Sequence, residues 1–391
     1  MISLERYAAL LQQPDVRWTF VASMLGRLPI GITGLAILLL VQTSSQSFAR
    51  GGATTAFYVI GLAAVAPMLG RAIDRYGPRR ILLTSGVLFP SALVALVAAV
   101  RDGAPVLSLA FAAAAGASFP PISVCVRTYF RRRLSDGALL AAAYSAESVL
   151  IEIIFILGPM LVAVFIAVAS AAAAVWFAAA CGLVGTLLFM RSPALLEWRI
   201  EQRTTGGLLG PLGERDFPVL VGVVVCFSSA FGFMEIGVAA YASEIGNAAI
   251  AGVLLGVMSA GSALGGLVYG SRGWHSPLGR QFALALALMA AGLAVLALGW
   301  RLWPFAFWCW LAGIAMAPGL IIQSMLAAKI SRPEHATEAF TWTTSALLAG
   351  VGIGLAAGGV LLERFPSQAA LGAGAAAALL AAAGARFLLS R

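Results

Sequence analysis

Runs of about twenty residues with almost no charge recur along the whole chain, and they leave few options for its fold. A helix of that length rises ~30 Å at ~1.5 Å per residue, enough to cross the hydrocarbon core of a bilayer. In hydrocarbon every backbone N–H and C=O must be bonded within the protein, so such runs become helices. Composition leads to the same place. Of 391 residues, 61% are hydrophobic and only 10% charged. A water-soluble domain of this size would need more polar surface than that.

Apolar runs read against polar breaks predict twelve spans, at about 18–41, 53–70, 81–100, 105–127, 138–162 and 166–190, then about 217–241, 247–270, 280–299, 303–328, 338–361 and 367–388. Prolines 29, 67, 90, 120, 121, 159, 304 and 318 fall within them and are expected to interrupt or curve the helices. The formal charge of +9 would suit nucleic acid, but the basic residues sit in short connections between spans, which excludes that partner. With the N-terminus in the cytoplasm, twenty of the 25 Lys and Arg lie on the cytoplasmic side. Four lie outside (Arg50, Arg101, Arg301 and Arg364), and Arg27 lies within a span. This asymmetry predicts both termini inside. Residues 1–17 are polar and amphipathic, so no cleavable signal peptide is expected. The preference for Arg over Lys and the heavy Ala usage read as a GC-rich, bacterial composition, placing the chain in a cytoplasmic membrane.

Cys125, Cys181, Cys226 and Cys309 lie in apolar runs without metal-ligand spacing, so no metal is expected. No Walker A loop or nucleophile–base constellation occurs, which argues against an ATP-driven pump and against an enzyme. The one sizeable polar connection, 191–216, lies midway and reads as a cytoplasmic linker between bundles 1–190 and 217–391. The two halves look related. At an offset of 197, GASFPP (116–121) aligns with GIAMAP (313–318); at an offset of 200, Gly70 meets Gly270 and Arg80 meets Arg280. Parallel repeats of six helices are a transporter architecture.

The stretch GRAIDRYGPRR, residues 70–80, lies between the second and third spans. It resembles the signature loop of the major facilitator superfamily, G-x-x-x-D-R-x-G-R-R, with Gly70, Asp74, Arg75, Gly77, Arg79 and Arg80 at the matching positions. The resemblance covers essentially the whole chain. It implies an all-α integral membrane protein whose twelve transmembrane helices form two pseudo-symmetric six-helix bundles. It also implies that Asp74 acts as a cytoplasmic latch at the N-terminus of the eleventh helix in the outward-open state. Gly158-Pro159 resembles the core of the interdomain helix motif of drug/proton antiporters, with Met160, Leu161 and Val162 where that motif continues.

Charges inside a span cost roughly 2.5–3.5 kcal/mol each on insertion scales, so each invites a role. Arg27 and Glu147 each lie nine residues into spans that start inside, about 13–14 Å deep, and are expected to form an ion pair. That pair is read either as structural or as part of proton coupling. Glu152, about 21 Å deep with no matching cation, is the better proton-coupling candidate. Arg127 and Lys329, near cytoplasmic ends, are expected to snorkel. Glu235, in FGFMEIG of the seventh span, is either a cavity-lining group or a hydrated interfacial one.

In this fold the first, fourth, seventh and tenth spans line the cavity. They offer Phe119, Ser123, Phe231, Trp310 and Gln323, although such aromatic positions serve packing equally well. Gly252, Gly256, Gly261, Gly265, Gly266 and Gly270 crowd the eighth span and would let helices approach closely. The sequence therefore predicts a monomeric secondary transporter in a lipid bilayer. It would export a small amphipathic substrate by alternating access, driven by protons and without a cofactor. The alternatives are uptake or sugar/metabolite export on the same fold, and more remotely a non-transporting receptor or scaffold.

Overall fold

The computed structural model describes residues 12–134, 137–196, 213–214, 216–271, 274–331 and 336–389. Among them sixteen α-helices follow one another and no strand occurs. In chain order they are α1 (Pro14–Arg27), α2 (Pro29–Ser45), α3 (Phe48–Tyr76), α4 (Pro78–Arg101), α5 (Pro105–Ala117), α6 (Ile122–Arg133), α7 (Gly137–Val168) and α8 (Ala171–Phe189). There follow α9 (Pro193–Leu196), α10 (Phe217–Glu244), α11 (Ile250–Ser271), α12 (Leu278–Leu296), α13 (Leu302–Gly313), α14 (Met316–Ile330), α15 (Ala336–Leu362) and α16 (Ser367–Leu389). They build twelve membrane spans, three of them from two helices each: α1–α2, α5–α6 and α13–α14. The protein is a multi-pass membrane protein. Most of the linker 191–216 lies outside the described residues.

The breaks have local causes. Pro29 is the first residue of α2, where its missing N–H costs nothing. Pro120 and Pro121 supply no N–H to continue α5, so the chain restarts at Ile122. The tenth span breaks between Gly313 and Met316, the place equivalent to Ser118 at the offset of 197. Pro67, Pro90 and Pro159, expected to interrupt, stay inside α3, α4 and α7. Helix is the only backbone that lipid tolerates there, and one lost hydrogen bond is cheaper than an unwound segment.

Several boundaries move by five or six residues, two of them for plain local reasons. The fifth span runs on to Val168, because Ser170 is the first residue able to cap a new helix; its side chain accepts from the Ala173 N–H at 3.2 Å. The second helix runs to Tyr76 instead of 70, so Asp74 and Arg75 belong to its last turn. The turn itself is Gly77, at φ 80°, a conformation that favours glycine, followed by Pro78 at the head of α4.

Helix pairing repeats between the halves. The second span packs on the fourth as the eighth packs on the tenth, and the third on the sixth as the ninth on the twelfth. The repeat extends to single contacts. A Cβ on Gly61 would run into the Ala113 carbonyl oxygen, and one on Gly261 into that of Trp310. A Cβ on Gly116 would meet the Tyr58 oxygen, and one on Gly313 that of Met258. Every member of the first half maps onto the second at offset 197 or 200. Without hydrophobic drive between helices in lipid, such close backbone approach is what holds spans together.

The halves meet along two equivalent seams, α3 on α15 and α7 on α11. Gly52 rests on the Leu355 carbonyl and Gly252 on that of Pro159. Gly359 approaches Phe48 and Ala49, and Gly352 approaches Ala56. Among the described residues, each glycine contact between halves lies toward the end of the spans away from the arginine-rich turns. Substituting Gly313 by leucine should destabilise the protein in detergent by the cost of overpacking, about 1–3 kcal/mol or more, and so lower its melting temperature, and G61L should do the same in the other half. Thermal unfolding followed by size-exclusion chromatography checks both.

Candidate functional site

The densest charge inside the membrane is built where α1 crosses α8. Gly26 and Gly185 touch backbone to backbone there, and Gly26 also faces Ile122 of α6. That crossing carries Arg27, the last residue of α1, into the middle of the first bundle, where it is completely buried. Its Nη2 donates to Glu147 Oε1 at 3.2 Å. Glu147, on α7, is 1% exposed. The same carboxylate accepts from Arg127 Nε at 3.0 Å and 3.1 Å through its two oxygens.

The structure therefore corrects the expectation that Arg127 snorkels. Helix α6 continues to Arg133, so Arg127 lies six residues before its end, about 9 Å inside it. Its side chain is 56% exposed, which makes it the open member of an Arg27–Glu147–Arg127 cluster. Two guanidiniums share one carboxylate, and the Nε and Nη1 of Arg27 have no hydrogen-bond partner among the described residues. A second network lies nearer the start of α1, where Asp15 Oδ2 accepts from Tyr129 Oη at 2.9 Å and Arg133 Nε at 2.7 Å.

Glu235, on α10, is partly exposed and has no hydrogen-bonding or ionic partner among the described residues. A Cβ on Gly34 of α2 would lie 3.4 Å from its Oε1 and 4.0 Å from the Thr55 methyl. Glu235 thus reaches from the second half toward the first, beside the α3–α15 seam. Gln323 is 5% exposed, and its Oε1 has no partner among the described residues. Phe119 packs edge-on against Phe89 at 5.2 Å in the core of the first half, and Phe231 packs against Phe227 at 5.0 Å. Ser123 and Trp310 are partly exposed, with Trp310 near Phe307.

Gly158 rests on Gly31, and the Pro159 carbonyl receives Gly252 of the other half, so this pair sits where the first, fifth and eighth spans converge. Of the signature turn, Gly77 makes the tight turn, Arg80 is exposed, and Arg79 lines a shallow pocket with Met190, Arg191, Leu195 and Leu196. The side chains of Asp74, Arg75 and Glu152, and the surroundings of Gly70, lie outside the described residues.

Sequence reasoning missed one further group, Glu363. It follows α15 directly, and its Oε1 accepts from Ser47 Oγ at 2.6 Å and from the Ala49 N–H at 3.0 Å, at the head of α3. The only sequence signal for it is an acid placed just after an apolar span.

No protein-family model matches the sequence, and no curated protein matches it. Solved structures do match. A variant of the nucleoside transporter NupG superposes with a TM-score of 0.71 at 14% identity, covering 95% of this chain and 99% of the other. A bacterial homologue of the iron transporter ferroportin, in an inward-facing state, gives 0.73 at 14% identity, covering 96% and 99%. The human organic anion transporter MFSD10 (TETRAN) gives 0.67 at 17% identity, covering 95% and 98%. The fold is thus the all-α, twelve-span architecture of major facilitator transporters.

Removing Glu147 leaves Arg27 buried without its counter-charge. E147Q should destabilise the protein by about 3–5 kcal/mol, and the double variant R27L/E147L should recover part of that loss. Thermal unfolding of E147Q and of the cycle R27L, E147L and R27L/E147L in nanodiscs measures both.

Proposed function

We propose that this chain is a secondary active transporter that moves a small amphipathic molecule across a cytoplasmic membrane by alternating access. The observation that carries the reading is the pair of equivalent seams. Two halves built on one repeat touch through backbone at glycines toward one end of the spans, the end away from the arginine-rich turns. The excess of arginine would put the opposite, arginine-rich end in the cytoplasm, so this reading has the protein closed on the outer side and open inward. The similarity to a ferroportin homologue in an inward-facing state supports the same conformation. Rocking about the seams would then expose the space between the bundles to each side in turn.

Proton-coupled export is the direction we favour. Two kinds of intramembrane acid support it: Glu147, shared by two arginines, and Glu235, which reaches toward the other half without a partner among the described residues. Glu152 keeps its role as the principal coupling candidate from its depth in the sequence. In the first bundle, a proton or substrate that neutralised Glu147 would free both guanidiniums, which couples occupancy to the positions of α1, α6 and α7. In the second, Glu235, Gln323, Phe231 and Trp310 supply one charge, one amide and two aromatic surfaces for an amphipathic ligand. Asp74 serves as the cytoplasmic latch. Uptake or metabolite exchange is the second reading, favoured by the likeness to a nucleoside transporter.

Proteoliposomes with an imposed pH gradient, challenged with nucleosides, organic anions and amphipathic cations, test the proposal. Export predicts gradient-driven movement that an uncoupler abolishes; transport indifferent to the gradient refutes coupling. E152Q should lose the proton dependence while keeping substrate exchange. D74N should cut the transport rate by about tenfold or more with little change in melting temperature. Equal loss of folded protein and rate would make Asp74 structural.

A further inference from the structure

Glu363 joins the two halves differently from the glycines. Its carboxylate belongs to the second half and bonds two donors of the first, the Ser47 hydroxyl and the Ala49 N–H. Ser47 is the N-cap of α3, and its oxygen also accepts from the Arg50 N–H at 3.2 Å. The first N–H groups of a helix have no partner within it, and together they carry partial positive charge. One half thus supplies the anion that the leading helix of the other half lacks. The approach of Gly359 to Phe48 and Ala49, and of Gly52 to Leu355, brings the two helix ends within reach.

We propose that Glu363 is an outer gate residue, a charged latch that holds the closed outer face and must be broken each time the cavity opens outward. This rests on the alternating-access reading above. The latch acts through charge: the Ser47 hydroxyl and the Ala49 N–H hold the Glu363 carboxyl below the usual carboxylate value, slight burial opposes them, and Arg50 adds to them. Arg50 on α3 and Arg364, next in the chain, are the charged groups beside it among the described residues. A lowered value means the latch is complete above the ordinary carboxylate range and is lost only as pH falls through the lowered value. External acidification to about pH 6 therefore leaves it closed.

The protein contains its own control. Glu244, at the end of α10, makes the same kind of cap on α16, accepting from the Ser367 N–H and hydroxyl, each at 2.6 Å. Both partners of that cap lie in one half, so it has no part in joining the two.

Spin labels at Ser44 and Phe365, exposed positions on the outer rim of the two halves, read the gate in nanodiscs. The four native cysteines are replaced beforehand. The wild-type background should show mainly the short distance. E363A should raise the ratio of long to short components on the order of tenfold, the worth of a charge-assisted hydrogen bond, with E363Q between the two. E244Q should leave the ratio unchanged. G359L or G52L, wedges in the seam, should make the long component dominate. If the wedges open the rim but E363A does not, the latch is refuted and alternating access stands. If E244Q shifts the ratio as far as E363A, the effect is general loosening and the latch is again refuted. If neither the wedges nor E363A lengthens the distance, alternating access fails along with the latch.

Discussion

A glycine α-carbon resting on a carbonyl oxygen of the next helix is the contact on which the rest of this protein depends. Lipid gives helices no hydrophobic reason to associate, so cohesion comes from dispersion between backbones that approach closely. Gly61 on Ala113 and Gly116 on Tyr58 fix the second span to the fourth, and Gly261 on Trp310 and Gly313 on Met258 repeat the arrangement in the second half. The same contact joins the halves at Gly52 and Gly252. On the proposed alternating access, one device would serve permanent crossings inside each bundle and a separable crossing between bundles.

The buried charges depend on that packing. Arg27 is enclosed because α1 lies on α8 at Gly26 and Gly185, and an enclosed guanidinium requires the carboxylate of Glu147 beside it. Arg127 reaches the same carboxylate from the open side. A change at Arg127 is therefore felt at Arg27, which touches no open space. Glu235 differs: it has no counter-ion among the described residues, and it stays partly exposed beside Gly34 of the other half.

Much of this was legible in the sequence wherever an argument used length or depth. Span number followed from run length. Counting nine residues into two spans that enter from one side put Arg27 level with Glu147, and the side chains lie 3.2 Å apart. Arg127 was misplaced because a basic tail, Arg131–Arg133, was taken for loop, whereas α6 carries it as helix. The signature stretch read as a loop for the same reason, yet α3 holds it through Tyr76. Charged residues mark the membrane surface well and the helix end poorly, since a helix continues into water until a residue such as Gly77 stops it. Glu363 was invisible because its partners are backbone and hydroxyl groups some 316 residues away, which carry no charge to pair with in sequence.

Antiparallel packing of α3 and α15 gives the two proposed latches one geometry. Phe48 meets Gly359, Leu355 meets Gly52 and Ala56 meets Gly352, so the start of each helix lies at the finish of the other. Glu363 follows the last turn of α15 and caps the start of α3. Asp74 lies in the last turn of α3, the end at which α15 begins. On the proposed reading each acid would hold the face where its own helix finishes, and rocking that frees one would bring the other into place. Such an exchange would keep the free-energy gap between the two states small, because each state would gain a charge-assisted contact as it lost one. A gap of a few kcal/mol or less is what the differential binding of a substrate or a proton can overturn. A single strong latch on one face would trap the protein; two modest ones at opposite ends of one helix pair would let it turn over.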